Sequence, residues 1–132
     1  MADKIYIVEG EGLPNWSNPI SHAVVVNNMC FVSGQLAVNS EGIYEKGTIH
    51  SETNLAFSNF FAALTPAGFN KTDVVYVDIA FDDLEDLPAV NTIFMMLFQE
   101  DKRPARTIYQ TEALPFGGTI KITGTAVKNT MD

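Results

Sequence analysis

Apolar positions change their spacing several times along the chain, and the changes divide it into elements. Lys4–Val8 (KIYIV) is rich in β-formers and predicts a short strand. Glu9–Pro19 holds two glycines and two prolines and predicts a loop. Ala23–Val26 and Met29–Val32 are short apolar runs around Asn27-Asn28, the pattern of a β-hairpin closing at Ser33-Gly34. Asn39–Gly47 is again loop-like. From Ser51 the period lengthens: Phe57, Phe60, Phe61 and Leu64 recur at i, i+3, i+4 and i+7, one face of an amphipathic helix. Pro66 and Gly68 stop it. Asp73–Phe81 (DVVYVDIAF) returns to β-branched and aromatic residues. Asp86 ahead of Leu87-Pro88 predicts an N-cap with proline in the first turn. Leu87, Val90, Phe94, Leu97 and Phe98 form a second helical stripe, broken by Arg103-Pro104. Ala105–Glu112 alternates as a strand, Leu114–Gly118 turns, and Thr119–Val127 is the last strand.

This order implies an α+β fold: a mixed sheet of about six strands with two helices packed on one face. The strand after each helix is placed to pair in parallel through a right-handed crossover. The sheet's other face also needs cover, and for a chain of 132 residues another copy of the chain supplies it at least cost. No repeat, low-complexity tract or linker divides the sequence, so residues 1–132 read as one domain.

Charge narrows the function. Eight Lys+Arg against 16 Asp+Glu give a net −8. A field of that sign disfavours nucleic acid and anionic membrane surfaces as partners. The one close grouping of bases is Lys102, Arg103 and Arg106, beside Glu100 and Asp101; it permits a local pocket for a small anion. The single cysteine, Cys30, rules out an internal disulfide framework and a cysteine-rich zinc site. Its place in an apolar strand favours a buried structural thiol. His22 and His50 form no HxxH or HxxxH pair, and no metal site is expected. Met1–Gly12 lacks the apolar core of a signal peptide, and no apolar run approaches the ~18–20 residues that span a bilayer. A cytoplasmic protein is expected.

Three segments carry a more specific signal: Val32-Ser33-Gly34-Gln35 closing the hairpin, Ala89-Val90-Asn91 in the second helix, and Arg103-Pro104-Ala105-Arg106 followed by Ala113-Leu114-Pro115 and a final strand. In this order and spacing, from about Ile20 to Val127, the chain resembles the Rid family, also called YjgF or reactive-intermediate deaminases. The resemblance implies a chorismate-mutase-like fold. It also implies a homotrimer with three clefts between subunits, and hydrolysis of enamines and imines of amino-acid origin to 2-keto acids and ammonia. No metal or organic cofactor is implied. Some relatives carry an endoribonuclease label.

Arg106 is the leading candidate for catalysis and ligand binding. It matches the arginine that the resemblance assigns to the ligand carboxylate, and a guanidinium fork suits that partner. The plain alternative is a surface arginine on an edge strand paired with a neighbouring acid. Arg103 reads as a loop arginine. Asn91 is either a ligand contact or a helix-to-loop tie. Ser33 is either a ligand contact or a turn serine. Phe116 follows the ALP segment and, by the resemblance, lines the pocket wall. Trp16, also in a loop, is a candidate interface residue.

Ile108, a further ligand-binding candidate, stands where relatives often carry a cysteine, and Ile20 where typical members have a tyrosine. Lys121 stands where the last strand usually carries a glutamate that handles water. It reads as a second anion-binding group, a donor to the ligand, or an exposed strand residue. The expected ligand is a small 2-imino or 2-keto carboxylate. The competing readings are a non-catalytic sensor or scavenger, which Lys121 favours, and an endoribonuclease, which the −8 charge opposes.

Overall fold

The structure, a computed structural model, describes residues 3–129. Six strands are formed: β1 (Ile5–Ile7), β2 (Ala23–Val26), β3 (Met29–Gln35), β4 (Val74–Phe81), β5 (Ala105–Gln110) and β6 (Ile120–Val127). Helix α1 (Ile49–Leu64) lies between β3 and β4, and α2 (Leu87–Leu97) between β4 and β5. The sheet order is β1-β2-β3-β6-β4-β5. Only β4 and β5 pair in parallel; β6 runs antiparallel between β3 and β4. The expected layers are therefore observed, but the parallel crossover pairing holds only across α2: β4 does not pair with β3, because the last strand is inserted between them.

Local chemistry explains the boundaries. Asn27, at φ 54, makes the tight turn between β2 and β3. Thr48 caps α1, its hydroxyl accepting from the Ser51 N–H at 3.1 Å, so the helix starts earlier than the apolar stripe. Gly68, at φ 82, ends the turn that follows α1.

Three expectations are corrected. Asp86 stands at the N-cap of α2 with Pro88 in the first turn, as expected, but its side chain makes no capping bond. The capping carboxylate is that of Asp83, which accepts from the Glu85 N–H at 2.9 Å and starts a short 3-10 turn. Burial, then the charges of Asp83 and Asp82, hold the Asp86 carboxyl above its ordinary value. Next, β3 does not stop at Ser33-Gly34 but runs on to Gln35 across a bulge. Lastly, α2 ends at Leu97, well before Pro104, because Phe98 is already extended.

The core fills the space between the helices and one face of the sheet. Val77, Ile79 and Phe81 of β4 and Ile120 and Ile122 of β6 meet Phe57, Phe60 and Leu64 of α1 and Val90 and Phe94 of α2, all buried. Each fully buried large side chain here contributes about 1.5–3 kcal/mol. A side chain at Gly124 would collide with the Tyr76 carbonyl and the Phe60 ring, so α1 packs closely on β6 only over a glycine.

A smaller cluster (Leu36, Val38, Ala80 and Leu114, with Trp16 and Tyr44) includes Ala80, which points to the opposite face of β4. Buried Glu52 ties this region to α1, accepting from Tyr44 Oη at 2.8 Å, Gly47 N at 3.2 Å and Thr119 N at 3.2 Å. Asn59 adds bonds to the Leu36 and Val38 carbonyls at 2.9 and 2.8 Å. The rest of that face is open, with Phe31, Tyr76 and Tyr109 each exposed.

Candidate functional site

Asn91, Phe94 and Met95 fall at i, i+3 and i+4 on α2 and share one side of the helix. That side, with Arg103, Pro104 and Arg106 at the start of β5, lines an open groove of about 450 Å³, a size in the usual range for small-molecule sites. Arg106 pairs with Val77 of β4, so its side chain lies on the helix-covered face. There its guanidinium stacks on Phe94, with Cζ 4.8 Å from the ring centre. Burial holds its pKa below the ordinary arginine value, the mark of a cation partly stripped of water. Ile108 is half-buried on the same face, opposite Ile79. Because β5 is the outermost strand, one of its edges has unpaired backbone N–H and C=O groups beside these side chains.

Asn91 is half-buried, and among the described residues no side-chain hydrogen bond ties it to a loop. Arg103, read from the sequence as a loop arginine, is in the groove as well. Its Nε donates to the Phe98 carbonyl at 3.4 Å. Phe94 was legible only as a stripe residue and Met95 was not singled out, although their spacing from Asn91 was the available signal.

The remaining candidates lie elsewhere. Lys121 pairs with Ala80, whose side chain points away from the helices, so Lys121 and Arg106 lie on opposite faces of the sheet. Within one chain Lys121 is not beside Arg106. Gly34 leaves room for Lys121: a Cβ there would sit 2.9 Å from Lys121 Cδ and 3.1 Å from its Cγ. The Ser33 hydroxyl, within β3 at the bulge and not in a turn, donates to the Ser21 carbonyl at 2.6 Å, and Ser33 does not line the Arg106 groove. Phe116 is exposed, stacks on Tyr44 with ring centres 5.9 Å apart, and holds φ 64, a backbone region unusual for a bulky residue. With Trp16 and Glu41 it lines a second groove of about 410 Å³. Burial, then the hydrogen bond to Glu52 and the charges of Glu52 and Asp82, push Tyr44 up to about 12.

His22 is buried beneath Trp16, with ring centres 5.0 Å apart. Its Nε2 faces the Pro14 carbonyl at 2.9 Å and so carries the proton, while Nδ1 accepts from the Gln35 amide at 3.3 Å. None of these partners lines the Arg106 groove. Cys30 is buried, and burial pushes its thiol up to about 11 against the pull of Lys128. Among the described residues no group of three or more His, Cys, Asp or Glu is placed to hold a metal ion. No helix among them is long and apolar enough to cross a membrane.

The family model described as Endoribonuclease L-PSP matches residues 13–128. The chain belongs to this family, the Rid proteins. The Rid relative from Capra hircus named 2-iminobutanoate/2-iminopropanoate deaminase is 34% identical over 123 residues, 92% of this chain and 89% of the relative. A solved structure of a putative endoribonuclease from Thermotoga maritima superposes with a TM-score of 0.88 at 36% identity, covering 95% of this chain and 98% of the other. Escherichia coli TdcF, solved with bound serine, superposes at 0.85 with 25% identity, covering 95% of this chain and all of the other. The mixed six-stranded sheet with two helices is thus the Rid fold.

Proposed function

We propose that this protein binds small 2-imino and 2-keto carboxylates and hydrolyses the imine or enamine to the 2-keto acid and ammonia. The carrying observation is the groove in which Arg106 lies on the Phe94 ring with Asn91 beside it. A half-buried, stacked guanidinium is held in place before the ligand arrives, so less entropy is lost on binding. Arg106 orients the carboxylate. Free backbone groups along residues 106–108, on the outer edge of β5, polarise the C=N bond and position water. Water adds to the imine carbon, and the resulting amine leaves as ammonia while the carbonyl forms. An imine is already electrophilic, so orientation alone supplies much of the acceleration. The deaminase name of the goat relative and the serine bound to TdcF, itself an amino acid carboxylate, support this reading.

The active assembly in this proposal is a homotrimer. Its support is the division of the candidate residues between two faces of one sheet, because one ligand reaches both sets only where two copies meet. The test of the activity is ammonia release from freshly generated 2-aminoacrylate. Release at the uncatalysed rate, together with tight keto-acid binding, selects the second reading, a carboxylate sensor or scavenger. Lys121 favours that reading, since an ammonium stands where a proton-shuttling acid is usual. An endoribonuclease role is opposed by the net charge of −8 and requires RNA binding that weakens with salt.

A further inference from the structure

The groove on the helix-covered face holds more positive charge than a single carboxylate requires. Two of its six lining residues are arginines, and none is acidic, in a chain with twice as many acids as bases. One guanidinium fork already satisfies one carboxylate with two parallel hydrogen bonds. Arg106 alone therefore accounts for a monoacid. Arg103 commits only its Nε, to the Phe98 carbonyl, which leaves its terminal nitrogens for another partner. In a regular strand residues three apart point to opposite faces. Here the strand begins only at Ala105, and Pro104 turns the chain so that both arginines reach one groove. Glu100 lines a neighbouring groove beyond Met95, together with Lys71 and Lys102. Arg103 is the exposed member of the pair and Arg106 the half-buried one, and a monoanion on Arg106 leaves the Arg103 charge uncompensated.

We infer that the groove selects a dianion, a short-chain 2-imino or 2-oxo dicarboxylic acid, with Arg106 on the carboxylate next to the reacting carbon and Arg103 on the distal carboxylate. The inference rests on the carboxylate-binding role proposed for Arg106. Arg103 is on this account a specificity residue, and the preference it creates is for substrates made from acidic amino acids.

Calorimetric titration of the intact protein with 2-oxoglutarate and with 2-oxobutanoate tests it. The diacid is expected to bind at least ~10-fold more tightly, the worth of one added charge-assisted contact. Arg103→Gln should bring the ratio of the two affinities towards one. Arg103→Lys, which keeps the charge and guards against a loosened turn, should retain part of the preference. Lys102→Gln, in the neighbouring groove, should leave the ratio as it was. Equal affinity for the two acids in the native protein, or a ratio that survives Arg103→Gln, overturns the inference while leaving the Arg106 reading intact. Binding of neither acid, or binding unchanged by Arg106→Ala, overturns both.

Discussion

The Arg106 groove and the open sheet face around Lys121 are built differently. The groove is made by a helix and a strand that pack on each other. Phe94 belongs at once to the core and to the groove, so the guanidinium rests on a support the fold already fixes. The open face has no such backing. Lys121 lies over Gly34, Phe116 sits on a turn with positive φ, and nearby Phe31, Tyr76 and Tyr109 stay exposed. One region is a groove with its own backing; the other is an open surface without it. Because side chains alternate along a strand, Arg106 and Lys121 fall on opposite faces of the sheet, and only the proposed trimer would bring the two sets together.

The largest effect should come from spoiling the open face. Thr125 lies there between Phe31 of β3 and Tyr76 of β4. Thr125→Arg should turn the native species, expected at about three chain masses by light scattering on a sizing column, into single chains with no detectable keto-acid binding. Single chains that bind normally would show that the groove is sufficient by itself.

Lys121→Glu should come next. It restores an acid on the last strand, and general acid–base help is ~100–10,000-fold, so turnover at saturation should rise by something on the order of 100-fold. Affinity should fall at the same time, because a carboxylate near the ligand repels it. Ammonia release followed across substrate concentration separates the two. A fully active native protein inactivated by Lys121→Glu would make the lysine itself part of the machinery.

Arg106→Ala should weaken 2-oxobutanoate at least ~10-fold in calorimetry, with the far-UV circular dichroism unchanged. Arg106→Lys should recover little, since an ammonium cannot reproduce the fork.

Tyr44→Phe should act least, and on the open-face side alone. Losing the bond to Glu52 should cost about 1.5–3 kcal/mol of stability at neutral pH, read as a lower denaturant midpoint. Tyr44 titrates higher folded, at about 12, than its ordinary 10. Its contribution is therefore full below pH 10 and is lost as pH rises towards 12, where native and Tyr44→Phe curves should converge.

How much of this could be read from the chain depends on the range of the interactions. Both helices and all six strands show in local periodicity, because their apolar stripes repeat within one element. That Asp83, ahead of the 3-10 turn, makes the capping bond and Asp86 makes none does not, since four acids lie within Asp82–Asp86 and only backbone geometry chooses among them. Arg106 was legible through its motif. Arg103 was not legible as a groove residue, because Pro104 breaks the alternation that assigns faces. His22 had no local signal at all: its partners Pro14, Trp16 and Gln35 are brought to it by a loop and a bulge.

The sequence by itself determined the layer of two helices on a mixed sheet, the anionic character, the family motifs and the guanidinium at the start of β5. These follow from residue type and short-range spacing. Tertiary structure alone decided that β6 inserts between β3 and β4, that Arg103 and Arg106 share one groove, and that Lys121 faces the other way. Those outcomes depend on strand register and on which face of the sheet the helices cover. Register is settled by the fit of all the buried side chains together, among them Phe60 over Gly124, and no single segment carries that information.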